Sequence, residues 1–268
     1  MADTAQLPPP KAEDELKGSE APLLDHLIEL RKRLIYSLAA VLVFFIACFA
    51  FAKPIYDILL VPFAAAGGTN MIYTAPQELF FTYMNVALFG AIFFSFPVIA
   101  AQIYAFIAPG LYKRERRAFV PYLIATPVFF FLGALLVYFG VAPMALHFFI
   151  GMQQTSPGDV QIEMQTRVSE YLGFLMTLIL AFGICFQLPV VLTLLARIEL
   201  VTTAQLGKGR KYAIVAILAV AALLTPPDPI SQIGLSLPMY ALYEISILSV
   251  RWVEKQRAQK AAAEAAKA

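Results

Sequence analysis

Phe106-Ile-Ala-Pro-Gly-Leu-Tyr-Lys-Arg-Glu-Arg-Arg117 lies between two long apolar runs and sets one carboxylate, Glu115, among four cations, Lys113, Arg114, Arg116 and Arg117. Pro109-Gly110 ends the helix that arrives there, because proline lacks a backbone donor and glycine relaxes the backbone limits. The reading is a short, stiff, basic connector between two helices. So small a loop rarely needs this much chemistry only to reverse the chain, which makes it the candidate site. Working outward, 60% hydrophobic and 14% charged residues leave too little polar surface to cover a soluble globule. The mean hydropathy of +0.73 agrees with a polytopic membrane protein.

Hydropathy marks six spans, at about 34–52, 79–106, 119–147, 171–196, 212–224 and 230–250. The expected fold is therefore an all-α membrane protein with six transmembrane helices, short fifth and sixth spans, and a concave bundle. The fifth apolar run, Tyr212 to Leu224, has 13 residues and reaches about 20 Å against a hydrocarbon thickness of about 30 Å. It must be cupped by its neighbours or thin the bilayer beside it. Helix starts are legible on one side. Thr74-x-x-Gln77 reads as a capping box with Pro76 in the first turn, Ser169 can cap the fourth span, and Thr225-Pro-Pro-Asp228 offers a start to the sixth.

Eighteen of the 20 lysines and arginines fall on one side of such a bundle, and only Lys53 and Arg167 fall opposite. By the positive-inside rule both termini and the 106–117 loop are cytoplasmic. Residues 1–21, with Pro8-Pro9-Pro10 and mixed charge, are expected to be a disordered tail, 22–251 the membrane domain, and 252–268 a second cytoplasmic tail. The apolar run from Leu34 to Ala52 is longer than the h-region of a secretory signal, so the first span is expected to stay. Before it, Leu23, Leu27, Leu30 and Leu34 recur at helical spacing, which reads as an amphipathic helix at the membrane surface.

Three polar residues stand out against this background. Glu29 reads either as an ordinary pair with Arg33 four residues on, or as a second carboxylate on the side of Glu115. Gln187 lies ten residues before Arg197, about 15 Å in, and is either an interhelical hydrogen bond beside the Pro189 kink or a polar point on a concave wall. Glu244 lies seven residues before Arg251, about 10 Å inside the edge, where it either snorkels or marks a site. There is no H-E-x-x-H and no G-x-S-x-G, and Gly207-Lys-Gly-Arg210 lacks the spacer of a P-loop. His26 and His147 have no Cys or His at ligand spacing, and Cys48 and Cys185 sit in apolar runs. The expectation is a protein that is not an enzyme, with no metal, no cofactor and no nucleic-acid partner. On spacing alone a secondary transporter, a translocation factor and a membrane scaffold all remain open.

His26-Leu-Ile-Glu-Leu-Arg-Lys-Arg-Leu34, the 106–117 stretch, Ala181-Phe-Gly-Ile-Cys-Phe-Gln-Leu-Pro-Val190 and Leu224-Thr-Pro-Pro-Asp-Pro-Ile-Ser-Gln232 together resemble the signature segments of the TatC family. That family is the multi-spanning receptor subunit of the twin-arginine protein translocase. The resemblance implies a receptor in the bacterial inner membrane, with cytoplasmic termini, that binds twin-arginine signal peptides of folded cargo and works with the single-span TatB and TatA subunits, with self-association and the transmembrane proton gradient. Carried over by position, its recognition carboxylates fall on Glu29 and Glu115, with Phe106, Leu111, Arg117, Arg31 and Arg33 nearby. Pro62 and Asp228 match outer-loop positions of the family, and with Gln187 and Glu244 they are candidates for a membrane cavity or partner contact. Some members carry glutamate where this chain has Gln187, so a titrating midplane carboxylate is not general to the mechanism.

Overall fold

The computed structural model describes residues 12–107, 120–152, 165–224 and 229–266. No Gly or Pro interrupts Leu23 to Ala50, and a single helix, α1 (Ala12–Ala50), runs straight through the stretch expected to split into a surface helix and a span. The leucine repeat was helical, but its lipid-facing and interfacial parts belong to one rod. This helix begins at Ala12, inside the segment expected to lack regular structure.

After Phe51 the chain turns into α2 (Ala52–Ala65), then the two-residue β1 (Met71–Ile72) and α3 (Glu78–Ile107). The third span is one bent column made of α4 (Val120–Leu136), a π-helical turn at Val137–Val141, and α5 (Ala142–Gly151). Then come β2 (Thr166–Arg167), α6 (Val168–Cys185) and α7 (Leu188–Arg197). The chain ends with α8 (Thr203–Leu224) and α9 (Pro229–Ala265). The short strands pair in parallel, Met71 opposite Thr166.

Among the described residues five segments are long and apolar enough to cross a membrane: His26–Ala50, Glu78–Phe106, Pro121–Gly151, Val168–Arg197 and Gln232–Lys260. The sixth crossing, fifth in order, is α8, whose first turns carry Lys208, Arg210 and Lys211, so only its second half is apolar. The basic stretch from Lys208 to Lys211, just before the fifth apolar run, is thus already helix. Its start has a reciprocal box, in which Thr202 N–H donates to Gln205 Oε1 at 2.9 Å and Gln205 N–H to Thr202 Oγ1 at 3.3 Å. The last helix continues well past the sixth span, through the segment read as a separate tail. No Gly or Pro follows Pro238, and the run beyond Arg251 is built of strong helix formers.

The interior is built by α6, which buries Leu172, Leu175, Leu178 and Phe182 completely, against Val86 of α3, Val137 and Phe130 of the third span, and Leu235 and Ile247 of α9. Phe96 stacks on Phe130 with ring centroids 3.7 Å apart. By contrast α1 leaves Val43 and Ile46 66% and 65% exposed, as expected of a helix whose outer face meets lipid tails rather than water. The chain is a multi-pass membrane protein.

Candidate functional site

The N-terminal motif docks on the end of α3. His26, Glu29 and Arg33 share one face of α1, at spacings of three and four residues, and that face meets α3. The His26 ring stacks on Phe106 with centroids 4.3 Å apart and planes at 28°. Arg33 donates through Nη1 to Gln102 Oε1 at 3.3 Å and through Nη2 to Glu29 Oε1 at 3.2 Å. Its Nε is buried without a partner. So the pairing of Glu29 with Arg33 is present, and it holds the carboxylate half-buried on the α3 side. Among the described residues Glu29 Oε2 takes no hydrogen bond. Arg31 points to the exposed side of the same turn. Leu111, Glu115, Arg117 and Asp228 lie outside the described residues. The structure therefore sets the face of α1 that carries His26, Glu29 and Arg33 against Gln102 and Phe106 at the end of α3.

Gln187 occupies the break between α6 and α7. Its own N–H bonds Ile184 O in a tight turn, which deprives the Gly183 carbonyl of its ordinary helical donor. The side-chain Nε2 supplies that donor at 3.3 Å and also donates across to Thr126 O on α4 at 3.0 Å. Oε1 is buried and unpartnered. Both readings of Gln187 keep a foothold, a helix-to-helix bond and a residual polar point. Gln187→Leu is expected to cost about 1 kcal/mol of stability, the order of one intramembrane hydrogen bond, while activity falls clearly. Unchanged activity of a stably inserted leucine variant would reduce Gln187 to the helix contact.

Glu244 does not snorkel alone. Arg210 of α8 donates to its Oε2 at 2.8 Å and the Tyr240 hydroxyl to its Oε1 at 2.8 Å, which ties α8 to α9. Pro62 is buried inside α2, and having no N–H it frees the carbonyl of Ile58; the Tyr138 hydroxyl, from the π-helical turn of the third span, donates to that oxygen at 2.7 Å. The contact made by Pro62 is thus inside the chain.

Sequence reasoning missed a polar knot at the other end. Buried Glu78 accepts from Ser169 Oγ at 2.6 Å, Thr74 N–H at 2.8 Å, Thr74 Oγ1 at 3.2 Å and Arg167 Nη2 at 3.3 Å. Ser169, expected to cap the fourth span, is spent here, and the N-cap position of α6 is Arg167, with no side-chain cap. Thr74 partners Glu78 rather than Gln77. The hydrogen bond and charge of Glu78 raise the pKa of Arg167 further above its ordinary value. Glu78 and Arg167 are 89 residues apart, and no local pattern links them. Gln102 had a signal, as an amide in an apolar run one turn before Phe106.

Residues 25–238 match the family model described as "TatC: Sec-independent protein translocase protein (TatC)". The chain is 46% identical over 249 residues to the "Sec-independent protein translocase protein TatC" of Magnetococcus marinus, covering 92% of this chain and 90% of that one. It is 40% identical over 233 residues to the protein of the same description from Escherichia coli K12, covering 86% and 88%. Among solved structures it resembles the "Crystal Structure of Twin Arginine Translocase Receptor- TatC" with a TM-score of 0.75 and 36% identity, covering 85% of this chain and 99% of that one.

Proposed function

Since the chain belongs to the TatC family of Sec-independent protein translocase components, we propose that it is the receptor of a twin-arginine translocase, binding signal peptides of folded cargo at the cytoplasmic face of the bacterial inner membrane. Glu29 and Glu115 engage the two arginines of the signal. Phe106, Leu111, Arg117, Arg31 and Arg33 shape the surface around them. Membrane crossing then draws on the proton gradient and on TatB, TatA and further copies of this chain, with Gln187, Glu244, Asp228 and Pro62 lining or bracing the membrane part. Residues 22–251 form the working domain, and both tails lie in the cytoplasm.

The observation that carries the reading is the docking of His26, Glu29 and Arg33 against Phe106 and Gln102. It puts the face of α1 that carries Glu29 against Phe106, the first residue of the basic stretch that holds Glu115 in the sequence. A transporter would place ionisable groups at the break near Gln187, but that side chain is neutral and its amide nitrogen donates to two backbone carbonyls. The test is photocrosslinking from position 115 and from α8, in membranes with and without a twin-arginine peptide. Adducts with the peptide at 115 and with a single-span subunit at α8 are expected; a position 115 silent toward the peptide overturns the reading.

Orientation is tested separately. In a chain whose Cys48 and Cys185 are replaced by alanine, Lys53→Cys and Asp159→Cys should react with an impermeant thiol reagent in intact spheroplasts. Lys53 suits the purpose because it is exposed and, among the described residues, paired only with Asp57, at 2.9 Å. Reaction only after lysis would invert the topology.

A further inference from the structure

Where α4, α7 and α9 meet at the basic end of the bundle, two cavities share one side chain, Arg197. The outer one, about 190 Å³, is lined by Arg197, Arg257 and Lys260. The inner one, about 350 Å³, runs into the bundle as a largely apolar groove between Tyr122, Pro189 and Trp252. Arg197 stands in the last turn of α7 with its guanidinium 5.6 Å from the Tyr122 ring centroid. Arg257 pairs with Glu199, and Lys260 is exposed one turn further along α9. Among the described residues Glu199 is the one carboxylate paired with these cations, so the outer cavity stays positive. Trp252 is 60% exposed at the groove's mouth, where an indole marks a membrane interface rather than a core.

A charged cup opening into an apolar groove, at the depth where an aromatic side chain meets the headgroups, matches one molecule with a charged end and a long apolar end. We propose that this double cavity binds a single anionic phospholipid of the leaflet on the basic side. Its phosphate lies between Arg197 and Lys260, and one acyl chain lies along the groove past Trp252. Basic pockets between transmembrane helices on the cytoplasmic side select such headgroups. A free phosphate would satisfy the cup but leave the groove uncovered. The bound lipid would add to the packing of α7 against α9, beside the ion pair that Arg257 makes with Glu199 just past the end of α7. The proposal needs the basic end to face an anionic leaflet and is independent of how signal peptides are read.

The experiment is native mass spectrometry of the full chain released from a neutral detergent. It is titrated with phosphatidylglycerol, with phosphatidylcholine of the same acyl chains, and with inorganic phosphate. Phosphatidylglycerol adducts should persist at activation that strips phosphatidylcholine, and inorganic phosphate should not compete. Arg197→Gln with Lys260→Gln should weaken phosphatidylglycerol binding about thirtyfold, and Lys260→Gln alone about fivefold, since a juxtamembrane cation contributes about 1 kcal/mol toward an anionic lipid. Lys260 is exposed and makes no ion pair among the described residues, so the single variant reads binding even where the double one unfolds. Arg251→Gln with Lys255→Gln removes the same charge outside both cavities and should change binding little. Unchanged binding in the Lys260 variant, an equal loss in the control pair, or displacement by inorganic phosphate would each overturn the proposal.

Discussion

Glu115→Ala is expected to weaken capture of a twin-arginine peptide by about ten- to hundred-and-fiftyfold, while a twin-lysine peptide, already held poorly, changes little. The range follows from one charged hydrogen-bonding contact at about 1.5 to 3 kcal/mol. A guanidinium presents a planar fork that matches a carboxylate with two parallel donors, whereas an ammonium offers only a point charge. Its neighbours in the sequence, Lys113, Arg114, Arg116 and Arg117, would repel basic peptides that cannot engage both acids. Glu29→Ala should cause a comparable loss, but with a second component, because Arg33 loses one of its two partners and keeps only Gln102. Glu29→Gln separates the two, since an amide oxygen can still accept from Arg33 without a charge to offer the peptide. Two such contacts sum to about 3 to 6 kcal/mol, which alone supports affinities of tens of micromolar or weaker. The apolar part of the signal, packing near Phe106 and Leu111, or a partner subunit must supply the rest. Crosslinking of both peptides to each variant is the measurement. Equal losses for twin-arginine and twin-lysine would mean that these acids only brace the cytoplasmic end.

The largest structural effect is expected where α4 crosses α6. A Cβ added at Gly133 would lie 2.7 Å from the Phe182 carbonyl oxygen, and one added at Gly183 would lie 2.5 Å from the Phe130 ring. Close backbone approach at small residues is what holds helices together in lipid, where apolar burial gives little preference for protein over bilayer. Phe130 and Phe182 are fully enclosed, and a backbone carbonyl cannot step aside as a side-chain tip can. Gly133→Val should therefore push the helices apart and cost about 1 to 3 kcal/mol or more, with Gly183→Val similar. Gly173→Ala on the same α6 meets nothing within 4 Å and should leave stability unchanged or slightly raised. Thermal unfolding in detergent compares the three. A Gly133→Val protein that melts with the wild type would mean that the crossing is looser than drawn.

Much of the architecture was open to reading in the chain itself. Hydropathy and charge asymmetry are additive along the sequence, so crossings and basic ends can be summed without knowing any neighbour. That is why the apolar runs from Leu79 to Phe106 and from Tyr171 to Ala196 lie within Glu78–Phe106 and Val168–Arg197. The same additivity made the fifth span look short, and α8 does have only an apolar second half. The polar residues Glu29, Gln187 and Glu244 announced themselves because each is costly in an apolar setting and must find a partner.

What the sequence by itself determined is the number of helical crossings, the basic end of the bundle, and the short list of polar residues that had to be explained. Only the tertiary structure decided who answers them, Thr126 for Gln187 and Arg210 for Glu244, and it added pairings that no local pattern announced: Gln102 for Arg33, Arg167 and Ser169 for Glu78, and Tyr138 for the carbonyl that Pro62 leaves open. It also decided that α1 and α9 are unbroken rods where changes of composition suggested boundaries. The physical reason is the solvent. In lipid both faces of a helix are apolar, so periodicity carries little record of which face meets which neighbour. That choice falls to a few hydrogen bonds and close glycine contacts whose members lie far apart along the chain.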